Sequence, residues 1–235
     1  MDVVYTYVNF KDENWRNNYY KYSNENSNEN SNENSVRVFS LNELELSVKN
    51  TLNNCSFIRN IFIVTDNQIP VWYCKDVYKK VKIIFHKEIF DEDCIYPTYN
   101  SNTIECYLHK IEGLSEIFLY LNDDVFINLK KKDLFDKESK LPYAFALNKN
   151  WNYDINTAKK KHLYNPAVFA LYNTIKMAEK YFNKKFDITY THQAYILTKS
   201  SCKLTEKIFK EQYKKKVKLR FREKLSLDDF IFPLL

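Results

Sequence analysis

Glycine occurs once in 235 residues, at Gly113. The loops that lay backbone amides against phosphate, GxGxxG and Walker A, each need several glycines for tight turns and close backbone approach. A classical dinucleotide-binding fold and a P-loop kinase are therefore excluded. Any phosphate bound by this chain is held by side chains, a metal ion or helix N-termini.

The length suits one large α/β domain spanning residues 1–235 with an insertion. Aromatic residues make up 17%, with 19 Tyr and 17 Phe, and the net charge is +6. Lys, Asn, Ile, Tyr and Phe share codons built only of A and T, so base composition accounts for much of both biases. The basic run "KKKVKLRFREK", Lys214 to Lys224, reads first as a solvated helix face and second as a local anion-facing surface. No nucleic-acid partner is expected.

Five cysteines, at 55, 74, 94, 106 and 202, form no CxxC pair and leave one over in any pairing. Reduced thiols follow, and no structural zinc is expected. "MDVVYTYVNFKDENW" lacks a basic leader region, and no run reaches the roughly 18 apolar residues of a membrane span. The expectation is a cytoplasmic protein without an integral membrane segment.

"DVVYTYV" reads as a buried first strand, and a low-complexity surface loop, residues 17–36, carries the threefold SNEN repeat. Leu41, Leu44, Val48 and Leu52 share one helical face. "NIFIVTD" and "KVKIIFH" read as strands. Ile104, Leu108 and Ile111 predict a second helix, capped by Asn100 or Ser101 and stopped by Gly113, with Glu105 and His109 on its other face. The strand "IFLYLNDD" follows. Residues 150–235 read as mostly helical, with long amphipathic helices over "PAVFALYNTIKMAEKYF" and "QAYILTKSSCKLTEKIFKEQY".

Strand, helix and strand in alternation predict an α/β, Rossmann-like sheet flanked by helices. Ligands of such sheets sit at the carboxyl ends of the strands, which here end in Asn9, Asp66, His86 and Asn122 to Asp124. Adjacent carboxylates at Asp123 and Asp124 repel unless a cation is present, and a hard divalent ion such as Mg²⁺ supplies it. A turn cap is the alternative reading of the same triplet.

"DVVYTYVN", "IRNIFIVTDNQIPVW", "YPTYNSNTIECYLHKIEGLSEIFLYLNDDVF" and, more loosely, "THQAYILTKS" and "RFREKLSLDDF" resemble the successive segments of the stealth family of sugar-phosphate transferases. That family includes bacterial capsular polysaccharide phosphotransferases and the animal GlcNAc-1-phosphotransferase. The resemblance implies a glycosyltransferase-A-like fold. It also implies transfer of a hexose-1-phosphate from a nucleotide-diphosphate sugar to a hydroxyl of an oligo- or polysaccharide acceptor, with release of UMP.

Carried over by position, the resemblance puts the catalytic set on Glu105, Asp124, His192 and Arg222. Asp123 and Asp124 are the metal candidates for Mg²⁺ or Mn²⁺, and Asn9, Arg37, Asp66, Asn100, Asn102 and Asn122 are candidates for nucleotide and sugar contacts. Arg222 suits a growing phosphoryl charge, and either Glu105 or His192 takes the acceptor proton. Tyr7 replaces the family's usual Trp, "VFSLNEL" stands where an Arg-Asp-Asn-Gly-Glu-Leu stretch is usual, and the chain ends at Leu235 before a fourth segment. Two alternatives stay open: an ordinary glycosyltransferase releasing UDP, and a truncated inactive remnant or polyanion-binding module, favoured by the missing segment and the Lys run.

Overall fold

The computed structural model describes residues 1–25, 42–139, 141–143, 146–148, 166–186, 188–190 and 193–222. Its strands are β1 (Asp2–Thr6), β2 (Ile61–Thr65), β3 (Val81–Phe85), β4 (Ile117–Leu121), β5 (Ala146–Asn148), β6 (Ile188–Tyr190) and β7 (Tyr195–Thr198). Its helices are α1 (Glu13–Glu25), α2 (Glu43–Asn54), α3 (His86–Ile89), α4 (Ser101–Glu105), α5 (Pro166–Phe182), α6 (Lys199–Ile208) and α7 (Lys210–Lys216).

The main sheet has the order β3-β2-β1-β4-β7, with the first four strands parallel and β7 antiparallel to β4. β1, β2 and β4 are runs of β-branched and aromatic residues, as strands covered on both faces require. Side chains alternate between two cores. Val3, Tyr5, Ile61, Ile63, Leu119 and Leu121 meet Leu44 and Val48 of α2 on one face. Val4, Phe62, Val64, Phe118 and Tyr120 meet Leu108, Ile111, Tyr213 and Val217 on the other. Each fully buried aliphatic side chain contributes about 1.5–3 kcal/mol. The one phenol deep in the α2 layer, Tyr5, is satisfied by Ser47 Oγ at 2.8 Å and Thr51 Oγ1 at 2.9 Å. This is the α/β, Rossmann-like class that the strand and helix pattern predicts.

Scarcity of glycine is met by asparagine. Asn42, Asn67 and Asn183 carry positive φ of 64°, 53° and 49°, the left-handed region that asparagine tolerates better than most residues. Gly113, at φ 72°, makes the turn ahead of β4.

Four expectations need correction. Residues 17–25, assigned to the surface loop, are the last turns of α1, and residues 26–36 lie outside the described set. Trp15 stacks on Tyr19 at 5.2 Å, and both pack edge-on to Tyr99 at 5.3 and 5.0 Å, so aromatic packing carries the helix into the polar repeat. The helix predicted from Asn100 to Gly113 ends at Glu105 and gives way to a 3-10 turn, Leu108–Lys110. Tyr195–Thr198, read as part of a long helix, is β7, because pairing with β4 selects the extended form for Tyr-Ile-Leu-Thr. The remaining helical stretch divides at Phe209, whose φ of −107° and ψ of 35° separate α6 from α7. The C-terminal part thus mixes helices with the strands β6 and β7.

Candidate active site

β1 lies between β2 and β4, and the crevice at the carboxyl ends of β1 and β4 is the point where the strand order reverses. Alternation along β4 sends Tyr120 and Asn122 to the same face. The Tyr120 hydroxyl lies 2.8 Å from Thr6 Oγ1 on β1, 3.2 Å from Glu105 Oε1 on α4 and 3.0 Å from Asn122 Oδ1. Tyr120 is wholly buried, and burial together with the Glu105 charge holds its proton well above the usual phenol range.

A second arm reaches the same place from far along the chain. Residues 216–222 are fastened to the loop that opens α4. The backbone N–H groups of Ile95 and Tyr99 donate to the carbonyls of Val217 at 2.9 Å and Arg220 at 2.7 Å. Thr103 Oγ1 donates to Leu219 O at 3.3 Å, and Asn100 Nδ2 donates to Phe221 O at 3.3 Å. Arg220 donates to Pro97 O, and its guanidinium lies 3.9 Å over the Tyr22 ring of α1. Phe221 stacks on Tyr99 at 5.2 Å. The fastened segment delivers Arg222, which donates to Ser101 Oγ in the first turn of α4 and whose charge is felt at the Tyr120 hydroxyl.

Glu105, Asn122 and Arg222 are therefore brought together. Asn100 is not ligand-facing: it is wholly buried, its Oδ1 accepts from the Asn102 N–H at 3.2 Å, and its amide nitrogen holds the C-terminal segment. Asn102 is buried, and its Oδ1 has no hydrogen-bond partner among the described residues. Asn9 closes a loop with the buried Gln68, whose Oε1 accepts from the Asn9 N–H at 2.7 Å and whose Nε2 donates to the Asn9 carbonyl at 3.1 Å.

Asp66 follows β2 on the neighbouring stretch of rim. Tyr96 Oη donates to Asp66 Oδ1 at 2.6 Å and accepts from Asn67 Nδ2 at 2.7 Å. Burial raises the Asp66 pKa, and the Tyr96 hydrogen bond and Lys87 charge only partly oppose it. His86, placed at a strand end by sequence, starts α3 instead. It is buried and stacked on Phe90 at 5.1 Å, and burial lowers its pKa to about 4, so it is neutral near pH 7.

The two aspartates diverge. Asp123 is half-buried on the side of Tyr7, whose pKa is raised by burial and then by the Asp123 charge. Asp124 is exposed and lines a hollow of about 360 Å³ with Phe126, Asn128 and Gln193. Among the described residues no cluster of three His, Cys, Asp or Glu side chains is spaced to hold a metal ion. Arg37 and His192 lie outside the described residues. His109 does not join Glu105. The break after α4 turns it toward α6, where Nε2 meets Glu206 Oε2 at 3.2 Å, and burial lowers its pKa.

Sequence reasoning missed Tyr120, Thr6, Ser101 and Tyr96. Tyr120 had one readable signal, its place two residues before Asn122 on a strand. The five thiols are free, and among the described residues no helix is long and apolar enough to cross a membrane.

Residues 37–143, which carry Asp66, Glu105 and Asn122 to Asp124, match the model of Stealth protein CR2, conserved region 2. Over 239 residues the chain is 38% identical to a capsular polysaccharide phosphotransferase of Haemophilus influenzae, covering 99% of this chain and 64% of the relative. A capsular polysaccharide phosphotransferase of Actinobacillus suis is 32% identical over 244 residues, covering 100% of this chain and 64% of the relative. An exopolysaccharide phosphotransferase of Streptomyces coelicolor is 39% identical over 127 residues, covering 54% and 21%. The chain thus spans just under two thirds of the length of the capsular relatives. With the CR2 match lying across the rim that gathers Glu105 and Asn122, the chain belongs to the stealth family.

Proposed function

We propose that this chain transfers a hexose-1-phosphate, for example GlcNAc-1-phosphate, from a nucleotide-diphosphate sugar to a hydroxyl of a glycan acceptor in the synthesis of a capsular or surface polysaccharide. The observation that carries the reading is the convergence of Glu105 and the Arg222 charge on the Tyr120 hydroxyl, with Arg222 delivered by a segment clamped to the helix that carries Glu105. The relatives named as phosphotransferases support the reaction class.

In this reading the acceptor oxygen attacks the β-phosphorus of the donor. The bond from that phosphorus to the bridging oxygen breaks, UMP leaves with the bridge oxygen, and a phosphodiester joins acceptor to sugar. Phosphoryl transfer needs charge neutralisation and alignment more than covalent help. Arg222 offers a planar fork to the charge that grows on the transferring group. Glu105 or His192 takes the proton of the acceptor hydroxyl. Asp66, Asn9, Arg37, Asn102 and Asn122 remain the candidates for nucleotide and sugar contacts.

The donor set suits a hard divalent cation, Mg²⁺ or Mn²⁺. Such ions take one or two protein carboxylates and complete their shell with water and substrate phosphate, so the exposed Asp124, alone or with Asp123, would hold the ion without a third protein ligand. When bound, the ion neutralises pyrophosphate charge. The test is incubation with UDP-GlcNAc, Mg²⁺ and an oligosaccharide acceptor. Release of UMP supports the reading, and release of UDP in its place means ordinary glycosyl transfer.

A further inference from the structure

Among the described residues, Tyr120 presents one hydroxyl to three oxygens at hydrogen-bond distance, on β1, on α4 and just past the end of β4. A hydroxyl donates one proton and accepts up to two. An ionised Glu105 only accepts. Thr6 can donate through its own hydroxyl, and the Asn122 amide can turn to present nitrogen in place of oxygen, since the two are assigned by their surroundings. The arrangement that respects all three gives the Tyr120 proton to the carboxylate.

We infer that Tyr120 is a positioning residue of the transfer site, donating its hydroxyl to Glu105 and setting Glu105 against Asn122. The ring is well placed for this role. It is wholly buried in the core beside Val4 and Phe118, and it stacks on Tyr195 of β7 at 6.3 Å. The hydroxyl is thus a fixed point on the central sheet, whereas α4 is a helix of only five residues. Burial and the Glu105 charge keep the phenol protonated, so it acts as a donor and not as an acid or nucleophile. Among the described residues, the other ionisable groups around the pair are Arg222 from the C-terminal segment, Cys106 next to Glu105, and Lys216 of α7 beside Cys106. Burial pushes the Cys106 thiol up to about 12, which leaves it neutral.

The inference rests on the proposed role of Glu105, and the test separates the two. Tyr120→Phe deletes one oxygen and leaves the ring. The expected result is a kcat lowered about 10- to 100-fold, with the UDP-GlcNAc KM changed less than about threefold. Loss of the donated bond destabilises the ionised carboxylate, so the acid limb of the kcat–pH profile moves to higher pH. Replacing Tyr120 by 3-fluorotyrosine, a stronger donor of nearly the same shape, moves that limb to lower pH. In a Glu105→Gln background Tyr120→Phe adds less than about a twofold loss, because the two act as one unit. A kcat within threefold of the parent, or a loss that is additive with Glu105→Gln and leaves the acid limb in place under both replacements, overturns the inference. The nucleotide released by the unaltered chain is read in the same assay. UDP as product sinks the phosphotransfer reading while the Tyr120 comparison is still decided.

Discussion

The two acidic regions of the candidate site are built in opposite ways. Glu105 sits beside a buried hub and shares its short helix with the anchor of Arg222. Asp123 and Asp124 leave the end of β4 into a half-buried position and an exposed one, with the second facing an open hollow. The difference matches the division of labour proposed above. A carboxylate that acts on a reacting proton needs a fixed position, and a buried hydrogen-bond network supplies it. A carboxylate that captures a hydrated cation and its phosphate needs access to solvent, and the turn after β4 supplies that.

Substitutions break or sharpen that contrast. Arg222→Ala removes the planar charge from the wired region and is expected to lower kcat about 10³-fold, with a melting temperature unchanged within a few degrees, since Arg222 carries little of the packing. Steady-state assays with UDP-GlcNAc and thermal melts check both halves. Asp124→Asn in the open region is expected to lower kcat about 10²-fold and to weaken the response to Mg²⁺, again with the fold intact. A variant of equal activity and equal Mg²⁺ dependence ends the metal assignment.

Asn100→Ala probes the clamp and not the chemistry. It deletes a helix cap and takes the Asn100 donor from the Phe221 carbonyl, from a wholly buried position, so a loss of about 2 kcal/mol in urea unfolding is expected. Partial loss of activity should accompany it through a less well placed Arg222. Asn9→Ala is expected to cost less, about 0.5–1 kcal/mol: among the described residues its side chain accepts only a local bond from Lys11 N–H at 3.0 Å, and Gln68 is bound by the Asn9 backbone, which the substitution keeps. A larger loss at Asn9 than at Asn100 contradicts the assignment of Asn100 to the clamp.

The parallel sheet was readable because each of its buried strands is a short apolar run ending in a polar residue, and α2 and α5 because their apolar spacing is helical over three turns or more. The carboxyl-end rim followed from those ends. What was not readable depends on contacts between distant segments. β7 looks helical until β4 offers it a partner, and the break after Glu105 turns His109 toward Glu206, almost a hundred residues on. Tyr120 lies in the apolar run of β4, but its reach to Glu105 requires the docking of α4. Asn100 was readable as a helix cap and entered the contact candidates through the resemblance, whereas its clamp on the C-terminal segment needs that segment in place.

The central claim is that phosphorus moves with the sugar. Donor UDP-GlcNAc carrying radioactive phosphorus only at the β-position, incubated with Mg²⁺ and an oligosaccharide acceptor, tests it most directly. The account predicts that the label appears in the glycan as a phosphodiester while unlabelled UMP is released. Label retained in released UDP, with an unlabelled sugar added to the glycan, contradicts it.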